Sequence, residues 1–104
     1  MTQALAPARP DIPEGLEHLL PLFLAEVARD TAALQAMAAS GAAAELAERA
    51  HALRGKCAMF GEQELAGILA RLEAEAASAE ASEIHSLIER MVARNVRLGV
   101  YDSR

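Results

Sequence analysis

Aromatic side chains are nearly missing from this sequence, which has one Tyr, two Phe and no Trp among 104 residues. Strand-forming residues are correspondingly sparse, and a β-sheet core is excluded on that ground. Alanine, leucine, glutamate and arginine dominate instead, and all four lose little conformational freedom in a helix. The single cysteine, Cys57, has no partner for an internal disulfide. Its place inside a helical pattern marks it as a small apolar core residue rather than a redox group. Basic residues are outnumbered, 10 Lys and Arg against 15 Asp and Glu, for a formal charge of -5. Binding to nucleic acid relies on neutralising phosphates, so that class of partner is not expected. No run approaches the roughly 20 apolar residues that span a bilayer, and the N-terminal pattern is not that of a signal peptide. No membrane partner and a cytoplasmic location are the resulting expectations. At this length one domain is expected, with no room for a second catalytic unit.

Residues 1–13 carry Pro7, Pro10 and Pro13 and no periodic apolar face, so they read as a flexible or extended leader before a domain over residues 14–104. A short helix is expected over Glu14 to Leu20. After Pro21, a favourable first-turn residue, Leu24, Val27, Thr31, Leu34 and Met37 recur at helical spacing until Ser40-Gly41. A third helix runs from about Ala43 to Phe60 and is closed by Gly61, which can adopt a left-handed conformation. A fourth covers Glu62 to Ala79, with Leu65, Ile68, Leu69 and Leu72 on one side. The last starts near Ser82 as N-cap and buries Ile84, Leu87, Ile88, Met91 and Val92, with Val96 at the edge of the set, before fraying near Gly99. Four long amphipathic segments with short connections predict an all-α, antiparallel up-and-down four-helix bundle with a short additional N-terminal helix. Phe23, Leu24, Val27, Leu65, Leu69, Ile88 and Met91 are read as core or rim residues, some of them exposed near His51.

The third helix carries the functional argument. At about 100° per residue, Leu46, Ala50, Leu53, Cys57 and Phe60 fall within an arc of roughly 80°, the core face. His51 lies about 140° from Leu46 on the same wheel, beyond the apolar arc and toward solvent. Arg54 and Gly55 follow at the three- and four-residue steps that make neighbours on a helix surface. Glycine inside a helix costs roughly 0.5–1 kcal/mol relative to alanine, and a bare backbone beside His51 would admit another molecule. Arg54 can swing its guanidinium toward an anion, with Lys56 and Arg49 less well directed. A hydrogen bond to one ring nitrogen would leave the other as nucleophile, but the sequence does not identify its partner, Glu48 and Glu62 being weak candidates. His18, His51 and His85 belong to separate segments and form no metal cage, so no bound cofactor or metal is expected. His18 and His85 read as ordinary surface residues.

The run Ala50-His51-Ala52-Leu53-Arg54-Gly55-Lys56-Cys57-Ala58-Met59-Phe60-Gly61 resembles the signature of histidine-containing phosphotransfer (HPt) domains. Leu22 to Leu34 is similar to the preceding helix of that family, and Leu65 to Glu73 to the following one, so the resemblance covers about residues 16 to 96. It implies a phosphorelay intermediate that accepts a phosphoryl group on His51 from a receiver-domain aspartate and passes it to another. Arg54 would then stabilise phosphoryl charge and Gly55 would give a partner steric access. The implied partners are response-regulator receiver domains and a hybrid histidine kinase, with magnesium on the receiver, and the domain would have no autokinase activity. Arg54 stands where the family usually has lysine, and Lys56-Cys57 replace small residues; the first keeps the charge, and the second bears on partner choice or on the surroundings of the phosphohistidine.

Two other readings stay open at this level. A non-catalytic helical adaptor would bind a receiver or a histidine kinase without carrying phosphate. The phosphoacceptor region of a dimeric kinase is disfavoured, because no heptad seam is present and the helices suffice for a monomeric bundle.

Overall fold

The computed structural model describes residues 6–102. These residues form a 3-10 turn at Glu17–Leu19 and four helices: α1 Leu20–Ser40, α2 Ala43–Met59, α3 Gln63–Glu75 and α4 Ala81–Leu98. No strand occurs among the described residues. The expected all-α four-helix architecture is present, and its helix ends have local causes. Pro21 occupies the first turn of α1, where its missing N–H removes no intrahelical bond. Gly41, Gly61 and Gly99 take φ of 73°, 71° and 78° and reverse the chain after α1, α2 and α4. The expected helix over Glu14 to Leu20 is reduced to the 3-10 turn, with Gly15 at φ 93° interrupting its start.

Two helix starts differ from the sequence reading. Ser82 lies inside α4, whose N-cap is Glu80; the Glu83 carboxylate reaches back to accept from the Glu80 N–H at 3.4 Å. At α3 the N-cap is Glu62, whose Oε2 accepts from the Leu65 N–H at 3.1 Å. The same carboxylate is fully buried and receives Nε and Nη2 of Arg94 at 2.9 and 2.8 Å. This bidentate pair ties the α2–α3 turn to α4 and holds the Arg94 guanidinium above its ordinary pKa, chiefly through the Glu62 hydrogen bond.

The four apolar stripes meet in one core that includes Phe23, Val27, Leu34, Leu53, Leu65, Leu69, Leu72 and Met91. Phe23 of α1 stacks on Phe60 after α2 with ring centroids 4.5 Å apart. Leu24, Met37 and Val92 are half-buried, and Val96 faces solvent instead of closing the α4 stripe. A polar strand of contacts runs through the interior: Thr31 Oγ1 donates to the Val27 carbonyl at 2.7 Å, and Asn95 Nδ2 donates to Thr31 Oγ1 at 3.0 Å and to Tyr101 Oη at 3.1 Å. The side of the α1–α2 seam carries charge, with Lys56 between Glu26 and Asp30 at 3.5 and 3.7 Å and Arg49 on Asp30 at 3.2 Å.

Residues 6–13, part of the expected leader, form neither helix nor strand and lie against the bundle, while residues 1–5 fall outside the described residues. The Ala8 N–H donates to the Arg97 carbonyl at 2.9 Å, Arg97 Nε returns a bond to the Ala6 carbonyl at 2.9 Å, and the Asp11 N–H donates to the Gly61 carbonyl at 3.1 Å. Pro10 is buried there and Ile12 packs on the core. A methyl group on Gly61 would collide with the Asp11 carbonyl, and the position also requires a positive φ. Gly61→Ala is therefore expected to destabilise the fold by about 1–3 kcal/mol, read from the urea midpoint, with the leader's amide protection at Asp11 lost.

Candidate functional site

His51 sits in the middle of α2 with its side chain 64% exposed, on the side away from Leu53 and Cys57. The core arc read from the sequence is reproduced, since Leu46, Ala50, Leu53, Cys57 and Phe60 are all buried. Across the groove to α3, Glu73 brings Oε2 to 2.8 Å from His51 Nδ1. Arg54 completes a triangle: its Nη2 lies 3.0 Å from Glu73 Oε1 and 3.1 Å from His51 Nδ1.

The triangle fixes the ring's protonation pattern. A carboxylate oxygen is only an acceptor and an arginine nitrogen only a donor, so Nδ1 cannot satisfy both. The shorter contact, and the repulsion between a bare nitrogen lone pair and a carboxylate, place the proton on Nδ1, donated to Glu73. Arg54 Nη2 then donates to Glu73 Oε1 and does not bond the ring. With Nδ1 donating, Nε2 is the ring nitrogen without a hydrogen-bond partner among the described residues, on a side chain that is 64% exposed. Glu73 is thus the orienting group that the sequence could not name. Glu62 is committed to Arg94 and the α3 cap, and Glu48 makes no hydrogen bond to the ring. The signal for Glu73 was faint: it stands one turn beyond Leu69, at the margin of the α3 apolar stripe, on a helix separate from His51.

The other candidates sort by their partners. Arg54 is the basic side chain at His51, and its Nε is enclosed without an acceptor. Lys56 and Arg49 are drawn to the α1 side by Glu26 and Asp30 and do not reach the imidazole. A Cβ placed on Gly55 would meet nothing within 4 Å, so the chain's own packing gives no reason for glycine there. Cys57 is sealed in the core, and burial, reinforced by the charges of Glu62 and Asp30, pushes its thiol up to about 12. It stays protonated and is neither nucleophile nor metal ligand. His85 pairs with Glu89 at 3.3 Å on the exposed face of α4, and His18 lies in the 3-10 turn. Among the described residues no group of three His, Cys, Asp or Glu side chains is placed to hold a metal ion, and no helix is long and apolar enough to cross a membrane. A cleft of about 990 Å³ lies among α1, the start of α2 and α4, lined by Met37, Leu46, Ile84, Ile88 and several alanines, apart from His51.

An exposed, carboxylate-oriented histidine with an open backbone position one turn on coincides with a family match. The sequence model of the Hpt domain family covers residues 18–95, the greater part of the chain. The chain belongs to the Hpt domain family. Its role is therefore histidine phosphotransfer in phosphorelays, the setting in which Hpt domains work with receiver domains and histidine kinases. No curated protein and no solved structure gives a significant match. Within this Hpt domain Gly55 carries a helix penalty that no internal contact offsets. Gly55→Ala is expected to raise stability by about 0.5–1 kcal/mol in urea unfolding, without shifting the amide signals of the core.

Proposed function

We propose that His51 is the phosphoacceptor, taking a phosphoryl group from a receiver-domain aspartate and passing it to another receiver. The observation that carries this reading is the Glu73–His51 contact, because a carboxylate that accepts from Nδ1 favours the tautomer in which Nε2 is the nucleophile. In the forward step the Nε2 lone pair attacks phosphorus, the bond from phosphorus to the aspartyl oxygen breaks, and the carboxylate leaves with the electron pair. The proton on Nδ1 stays where it is. The phosphorylated ring then carries positive charge, which the Glu73 carboxylate stabilises from the opposite side. Transfer onward is the same step reversed.

Arg54 holds Glu73 in place before transfer and supplies positive charge to the phosphoryl oxygens after it. Its unpartnered Nε gives the guanidinium a reason to reorient once a new acceptor arrives. Gly55 keeps the approach to Nε2 open. Divalent metal, needed to neutralise charge in a phosphoryl transition state, is supplied by the receiver as magnesium. Docking takes place over the outer face of α1 and α2, where Leu22 and Met59 are the exposed large apolar residues. Four helices already close one core, so the chain acts as a monomer, and its partners place it in the cytoplasm.

Incubation with a phosphorylated receiver should move label to the wild-type chain and not to His51→Gln, whose fold should be intact because the ring is outside the core. Equal labelling of both would remove His51 from the mechanism; binding without labelling of either would leave an adaptor. Glu73→Ala removes a hydrogen bond to a charged group worth roughly 1.5–3 kcal/mol, so the transfer rate should fall about 10- to 100-fold while receiver affinity changes little.

A further inference from the structure

Large apolar side chains that remain exposed among the described residues are few: Leu22, Met59, Val96 and Tyr101. Two of them flank the α1–α2 seam. Phe23 stacks on Phe60, and Leu22 and Met59 each stand next in the chain to one of those rings, both turned outward at 58% and 60% exposure. On α2, His51, Gly55 and Met59 follow at four-residue steps, which drift only about 40° per step around a helix. Imidazole, bare backbone and thioether therefore share one outward stripe. The remaining described methionines are withdrawn from solvent, Met37 half-buried and Met91 fully buried.

We propose that Met59 is an oxidation-sensitive contact of the receiver-docking face, so that peroxide lowers phosphotransfer by weakening docking and not by altering the chemistry at His51. The inference rests on the phosphotransfer reading above and adds a mode of regulation to it. A hydroperoxide is the co-reactant. The thioether sulfur uses a lone pair to attack the terminal peroxide oxygen, the S–O bond forms and the O–O bond breaks. The departing oxygen takes up a proton and leaves as water or alcohol; sulfur is oxidised and the peroxide reduced. The product sulfoxide carries a strong hydrogen-bond acceptor on what was an apolar contact. Water solvates that oxygen in the free domain, so the fold is not disturbed. A docked receiver would strip the water away, and without a donor opposite, the buried acceptor opposes association.

Cys57 does not compete for the oxidant, since its thiol is buried and protonated. His51 lies about two helical turns from Met59, so its reacting Nε2 and the contact of its Nδ1 with Glu73 are untouched by the added oxygen. The expected signature is thus a change in receiver affinity at constant maximal rate.

The test uses the full chain treated with hydrogen peroxide, with oxidation mapped by peptide mass and transfer followed from a phosphorylated cognate receiver. Met59 should gain one oxygen first among residues 6–102. Transfer at subsaturating receiver should then fall about tenfold, recover at saturating receiver, and return when methionine sulfoxide reductase is added. Met59→Leu keeps an apolar side chain but no oxidisable sulfur, so its transfer, measured against its own untreated rate, should show no peroxide-dependent loss. Full conversion of Met59 with unchanged transfer would overturn the proposal, as would an equal peroxide loss in Met59→Leu. If the untreated wild-type chain accepts no label at all, the phosphotransfer reading fails, and this inference with it.

Discussion

The register between α2 and α3 is the constraint on which the site depends. His51 and Glu73 are 22 residues apart, and their 2.8 Å contact exists only because the chain reverses tightly at Gly61 and the two helices pair along their length. Several interactions hold that reversal. Gly61 supplies the left-handed backbone, Glu62 caps the new helix, and Arg94 anchors the buried cap to α4. A slip of one residue in α3 would turn Glu73 by about 100° and carry its carboxylate away from the imidazole. The core opposes such a slip, since Leu65, Leu69 and Leu72 would leave it together.

Charge on the surface is divided between two seams with different work. On the α1 side, Glu26, Lys56, Asp30 and Arg49 neutralise one another and fasten the helices. On the α3 side, Glu73 serves both the imidazole and Arg54. Lys56 follows Gly55 directly, yet its rotation around α2 sends it to the first seam. The basic group at the histidine is therefore Arg54, whose planar guanidinium holds the Glu73 carboxylate.

Periodicity made the helices and the outward face of His51 legible, because a 3.6-residue repeat records which side of each element is buried. Arg54 and Gly55 were legible for the same reason, being neighbours of His51 on one helix. Glu73 was not, since its role depends on the mutual placement of two helices and nothing local distinguishes it from Glu75 or Glu64. The α4 cap was misread because Ser82 has the favoured side chain, while Glu80 and Glu83 satisfy the terminus from either side of it. Leu22 and Met59 escaped notice as the exposed apolar pair because each lies beside a buried phenylalanine. The grip on the N-terminal segment uses the Gly61 and Arg97 carbonyls together with the Arg97 guanidinium, contacts between parts of the chain far apart in sequence that no local pattern signals.

Cys57 gives the molecule a built-in reporter. As the sole thiol in the sequence, it faces the core from the helix that bears His51. A thiol reagent can reach it only when α2 lifts from its neighbours, so the pace of alkylation under native conditions measures how often that helix opens. The same single atom thus distinguishes motions that expose the interior from rearrangements confined to the outer face, which leave the sulfur sealed.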